Sequence, residues 1–116
     1  MSITIYHNPR CSKSRETLAL LESQHIQPTI ELYLQHNYDV ETLQSIADKL
    51  GITDIRQMMR TKDELYKTLG LDNPSLTAQD LLNAIAQHSE LLERPIVVNG
   101  NKAKIGRPPE SVLSIL

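Results

Sequence analysis

The sequence predicts an α/β domain, and three observations carry the prediction. A β-α-β pattern opens the chain, an Asn99-Gly100 hairpin signal stands near its other end, and a long stretch of helical periodicity lies between them. At 116 residues the chain has the length of one domain. It reads as a single unit over 1–116 with a helical insertion at about 39–88.

Ser2-Ile3-Thr4-Ile5-Tyr6 alternates and is β-branched, which suits a strand, and Pro9 blocks its continuation. From Ser12 to about Ser23, Leu18, Leu20 and Leu21 form an apolar stripe with Arg15, Glu16 and Glu22 outside it, as expected for an amphipathic helix. Ile26 and Pro28 mark a turn, and Thr29-Ile30-Glu31-Leu32-Tyr33 reads as a second strand. A unit of this kind implies parallel pairing through a right-handed crossover.

Asp39 can cap a helix in which Leu43, Ile46, Ala47 and Leu50 recur at helical spacing, and Gly51 stops it. Thr53 or Asp54 starts a short piece carrying Ile55, Met58 and Met59 and ending near Arg60; another runs from about Asp63 to Leu69, closed by Gly70. Thr77 and Asp80 resemble a capping box for a helix through Leu81, Leu82 and Ile85. Ile96-Val97-Val98 and Ala103-Lys104-Ile105 are two strands joined by Asn99-Gly100-Asn101-Lys102, and so antiparallel. Gly106 to Pro109 turns into a last helix bearing Val112, Leu113 and Leu116.

This order, with a thiol just after the first strand, is the layout of a thioredoxin-like fold. The helical stretch is long for a connection, so it reads as a subdomain beside the sheet. Pro95 stands where such folds carry a cis-proline beside the thiol.

Composition excludes several functions. There is no Trp or Phe, four Tyr are the only aromatics, and 12 basic against 14 acidic residues give a net charge of −2. Neither a basic field nor stacking platforms are present, which argues against nucleic-acid binding. No apolar stretch approaches a membrane span, and no export signal is legible, so a reducing cytoplasmic location is expected. One cysteine forms no internal disulfide, and His7, His25, His36 and His88 show no metal-ligand spacing; no metal or bound cofactor is expected.

That single cysteine lies in His7-Asn8-Pro9-Arg10-Cys11-Ser12-Lys13-Ser14-Arg15, between the first strand and the first helix. At a helix N-terminus, free N–H groups and the positive dipole end favour thiolate over thiol, and an anion can dock on the same amides. His7, Arg10, Lys13 and Arg15 could add positive potential. A free cysteine is most often a small buried hydrophobe, but the polar, cationic flanks here argue for a reactive one. His7 also reads as a structural histidine at the strand end, Ser12 and Ser14 as helix caps, and Asn8 as a turn former.

Arg94 and Arg107 each precede a proline at the two ends of the hairpin, and Arg60 closes the Met58-Met59 segment. Isolated arginines are usually solvated. Three around a thiolate would bind a tetrahedral oxyanion and offset the charge that builds when an anionic nucleophile meets an anionic substrate.

His7-Asn8-Pro9-x-Cys11-Ser12-x-Ser14-Arg15, Met59-Arg60, Arg94-Pro95-Ile96-Val97 and Gly106-Arg107-Pro108-Pro109-Glu110, in this order over nearly the whole chain, resemble the glutaredoxin-coupled arsenate reductases of the ArsC family. The resemblance implies reduction of arsenate to arsenite, with glutathione as co-substrate and glutaredoxin as partner. It implies Cys11 as nucleophile, His7 as a modulator of the thiol, and Arg60, Arg94 and Arg107 as oxyanion ligands, with Ser14 beside them. A single thiol that attacks arsenic needs an outside thiol to release it. Two other readings stay open: a regulator of the Spx type, which often carries Cys-x-x-Cys where this chain has Cys11-Ser12-Lys13-Ser14, and a glutathione-dependent reductase of another substrate.

Overall fold

The computed structural model describes residues 2–116. Four strands form one mixed sheet in the order β2-β1-β3-β4, with β1 Ile3–Tyr6, β2 Thr29–Glu31, β3 Ile96–Asn99 and β4 Lys102–Ile105. β1 runs parallel to β2 and antiparallel to β3, and β3 and β4 pair as the expected hairpin. The layout is thioredoxin-like. The chain divides into two compact units: a sheet unit ending at Gln35 and resuming at Arg94, and a helical unit, His36–Glu93.

In the sheet unit, register puts Ile5 opposite Val97, so both side chains stand on one face. Helix α1, Ser12–Ser23, and a C-terminal 3-10 segment, Pro109–Ile115, cover that face. Ile5, Leu21, Val97, Val112 and Ile115 make the core there, with Leu18, Leu20 and Ile26 packed against it. The fully buried residues of α1 therefore include Ser14 and Thr17 as well as Leu21, a more polar buried face than its leucine stripe predicts. His25, at φ 61°, ends the helix in the left-handed conformation that glycine more often supplies.

In the sheet unit three elements differ from the sequence expectation. β2 stops at Glu31, whose carbonyl accepts the His7 N–H at 2.8 Å; beyond it β1 turns away at Asn8-Pro9, so Leu32 has no ladder partner and Tyr33–Gln35 curl into a 3-10 turn. The hairpin loop is two residues rather than four, because Asn99 pairs with Lys102 and Gly100 takes φ 63°. The last helix is 3-10 throughout: it opens on prolines, and the Ser114 hydroxyl donates to the Ser111 carbonyl at 3.1 Å, competing with the backbone ladder.

In the helical unit, α2 Val40–Leu50 is capped by Asp39, which accepts from the Thr42 N–H at 2.7 Å, and ends at Gly51 with φ 69°. A 3-10 turn, Ile55–Met58, follows where a helix to about Arg60 is expected; Asp54 and Gln57 form its capping box. α3 Glu64–Thr68 is capped by Asp63, and α4 Ala78–Gln87 by the Thr77–Asp80 box. A further 3-10 turn, Ser89–Leu91, has no sequence signal we identified. α2 packs on α4, burying Leu43, Ile46, Ala47, Leu81, Leu82 and Ile85.

Arg56 fastens this unit. Its Nε donates to the Tyr66 hydroxyl (3.1 Å) and the Leu71 carbonyl (3.2 Å), and its Nη2 to the carbonyls of Leu71 (3.0 Å) and Asn73 (2.9 Å). A planar fork is needed to reach all of them. Arg56→Ala should cost about 1–3 kcal/mol and lower Tm by roughly 4–12 °C in a thermal melt. Arg56→Lys should recover less than half of the loss.

Candidate active site

Asn8-Pro9-Arg10 carries the chain from β1 to α1, and Asn8 shapes the loop twice. Its side-chain oxygen accepts the Arg10 N–H and its carbonyl accepts the Cys11 N–H, each at 3.0 Å. Cys11 is the N-cap of α1, with extended backbone (φ −94°, ψ 125°) and a partly buried side chain. Burial pushes its thiol up. Against burial act the backbone N–H of Ser14, the Arg94 charge, the backbone N–H of Lys13 and a hydrogen bond from the Arg94 side chain, and together they hold the thiol below its ordinary value. The helix-start amides are thus directed at the sulfur.

Two of the cations near Cys11 in sequence, Arg15 and Lys13, are engaged elsewhere. The Arg15 guanidinium donates to the Pro9 carbonyl at 3.0 Å, and Lys13 pairs with Glu16 at 3.5 Å. The charge that acts on the thiol comes instead from Arg94, far along the chain.

His7 is buried, with Nδ1 2.6 Å from the Ser14 hydroxyl oxygen. Burial, and then the Arg15 charge, push the imidazole below its ordinary pKa, so it is neutral near pH 7 and adds no positive potential. The Ser14 hydroxyl also accepts the Asn8 N–H at 3.0 Å, and its O–H can donate to the neutral Nδ1. Ser14 is fully buried, so its side chain braces the loop while its amide faces the sulfur.

Arg94 leads into β3 and Arg107 follows β4; Arg107 Nη1 lies 3.4 Å from the Arg94 carbonyl. The Arg94-Pro95 and Arg107-Pro108 bonds are both cis. The two hairpin ends are joined by the Gly106 N–H donating to the Pro95 carbonyl at 2.9 Å. The sheet unit therefore brings Cys11, His7, Ser14, Arg94 and Arg107 together. Arg60 belongs to the helical unit, where its N–H donates to the Leu91 carbonyl at 2.8 Å and its guanidinium pairs with Asp63 at 3.3 Å. Among the described residues no group of His, Cys, Asp and Glu is placed to hold a metal ion, and no helix is long and apolar enough to cross a membrane.

Residues 6–115 match the sequence model of the ArsC family. The chain belongs to the ArsC family. An arsenate reductase of Haemophilus influenzae is 72% identical to it over the full length of both chains. One of Neisseria meningitidis serogroup A is 53% identical, covering 98% of this chain and 97% of its own. Among solved structures, an arsenate reductase from Vibrio cholerae superposes with a TM-score of 0.98 at 53% identity, over all of this chain and 98% of that one.

Thr17 carries no functional signal in the sequence, and Gly106, which opens the Gly106-Arg107-Pro108-Pro109-Glu110 motif, has a packing role there that the motif alone does not reveal. Thr17, fully buried, donates its hydroxyl to the Lys13 carbonyl at 2.8 Å and lies against Gly106. A Cβ on Gly106 would meet Thr17 Oγ1 at 2.5 Å and Pro95 Cγ at 2.8 Å, so only glycine lets the hairpin close on α1 at this point. A glycine directly before the Arg107-Pro108 pair was the available signal.

Alkylation by iodoacetamide across pH should give a Cys11 midpoint below the ordinary thiol range. In Arg94→Ala the midpoint should rise, since that removes both a charge and a hydrogen bond from the thiolate. A midpoint indifferent to Arg94 would assign the activation to the helix start alone.

Proposed function

We propose that this ArsC-family protein is an arsenate reductase that uses Cys11 as nucleophile and glutathione with glutaredoxin as its source of electrons. The observation that carries the reading is the Arg94 side chain on the Cys11 thiol, an oxyanion-binding group beside an activated nucleophile. The names and identities of the relatives supply the substrate.

Arsenate docks on Arg94 and Arg107, and Ser14 and His7 keep the loop in shape. The Cys11 thiolate attacks arsenic and a hydroxide leaves as water, giving a Cys11–S–As(V) ester. The glutathione thiol then adds to the same arsenic, its sulfur as a further ligand and its proton to an arsenic-bound oxygen, so that all three oxygens stay in place. A disulfide forms between Cys11 and glutathione as both arsenic–sulfur bonds break; the electron pair left on arsenic makes it As(III), and arsenite departs. Glutaredoxin removes the glutathione by thiol–disulfide exchange and returns the Cys11 thiolate. A depressed thiol pKa serves twice, in attack near neutral pH and in departure from the disulfide. Dependence on glutathione suits the reducing cytoplasm.

The test follows NADPH oxidation through glutathione reductase with arsenate, glutathione and glutaredoxin present. Turnover should require all three, and arsenite should accumulate in proportion. Absence of arsenate-dependent oxidation in the complete mixture would overturn the reading.

A further inference from the structure

We infer that a cleft on the β2 flank of the loop before Cys11 is the seat of the glutathione that resolves the cysteine; the inference rests on the thiol chemistry proposed above. The cleft measures about 300 Å³, at the small end of ligand sites. One wall is Asn8-Pro9-Arg10, the loop whose Asn8 carbonyl holds the Cys11 N–H. The other is Leu32, Leu34 and Gln35, where the chain leaves β2 and curls.

Sheet order gives the cleft its place. Arg94 and Arg107 stand at the ends of β3 and β4, on one side of β1, and the cleft lies on the β2 side. A sulfur held by arsenic whose oxygens rest on Arg94 and Arg107 leaves that second side for another thiol to approach.

The lining fits a small anionic thiol peptide. Glutathione carries two carboxylates, two amides and a short apolar cysteinyl arm. Arg10 is exposed and, among the described residues, pairs with no carboxylate, so its guanidinium is available for one of the peptide's. The Gln35 and Asn8 side chains offer amide partners, and Pro9, Leu32 and the half-exposed Leu34 offer apolar surface. A neutral thiol lacking those groups gains nothing from Arg10.

Thiol–disulfide exchange tests this without arsenate. The Cys11 thiolate attacks one sulfur of oxidised glutathione, forms the mixed disulfide and releases one glutathione thiolate; mass spectrometry follows the rate. The same reaction with neutral hydroxyethyl disulfide supplies the reference, so the ratio of the two rates cancels any change in the thiolate itself. Arg10→Gln should lower the ratio about five-fold or more, the loss expected for one charge-assisted contact at a surface. Leu34→Asp, which sets a carboxylate beside the peptide's own, should lower it too. Lys104→Gln, which removes an exposed cation from β4, should leave it within about two-fold. A ratio unmoved by Arg10→Gln and Leu34→Asp overturns the cleft assignment, as does an equal fall in Lys104→Gln, which would trace the preference to overall charge. Failure of arsenate turnover with the Arg10 response intact overturns the reduction reading alone and supports the cleft.

Discussion

Cys11→Ser should lower arsenate-dependent turnover at least about a thousand-fold, to the background of glutathione and arsenate in solution. The Ser14 and Lys13 amides and the Arg94 guanidinium that hold the thiol below its ordinary value would face a hydroxyl instead. An alcohol starts far too weak an acid for those contacts to ionise it near neutral pH. No second cysteine exists in the chain to take over. Binding should survive the loss of chemistry, because Arg94 and Arg107 keep their places; calorimetry should find arsenate affinity in Cys11→Ser within about ten-fold of wild type. Turnover retained in Cys11→Ser would remove the cysteine from the mechanism, whatever its reactivity toward iodoacetamide.

Arg94→Ala should cost about 100-fold or more in kcat/KM for arsenate, the range found when one preorganised oxyanion donor is deleted. The same guanidinium that would hold the oxyanion already acts on the thiol. Arg94→Lys separates the two roles. An ammonium restores the charge but not the planar fork, so the alkylation midpoint of Cys11 should return toward wild type while KM for arsenate stays high. Arg56→Ala is the contrast. Its contacts all lie within the helical unit, so well below its lowered Tm it should keep kcat/KM within about three-fold. Equal losses in Arg94→Ala and Arg56→Ala would reject Arg94 as an oxyanion ligand.

Much of the scaffold was legible in the sequence because its signals are local. Asp39 and Gly51 bound α2, the Thr77–Asp80 box opens α4, and the Gly100 turn joins two short strands; each acts within a few residues of itself. Two of the departures have non-local causes. β2 ends early because its neighbour leaves at Pro9, which concerns a different strand. Thr17 is buried because Gly106, on the hairpin, admits it.

The site divides in the same way. Cys11 at a helix start and Asn8 in the turn are readable from their neighbours. The electrostatics are not: proximity in sequence suggests His7, Arg10, Lys13 and Arg15 as the activating charges, yet the group that reaches the sulfur is Arg94. Lys13 and Arg15 find partners close by, and His7, being buried, is neutral near pH 7. Sequence distance misleads here because a sheet joins β1 to β3 with the whole helical unit between them in the chain.

That interruption gives the protein a timetable. The ribosome makes Cys11 early, but β3, the strand that pairs with β1 along its second edge, is made only after the helical unit, and Arg94 arrives with it. A chain still being translated carries the cysteine without that cation. Full nucleophilicity therefore switches on late, once the hairpin can dock, and an unfinished copy exposes a thiol less prone to oxidation and misdirected attack than the one in the completed fold.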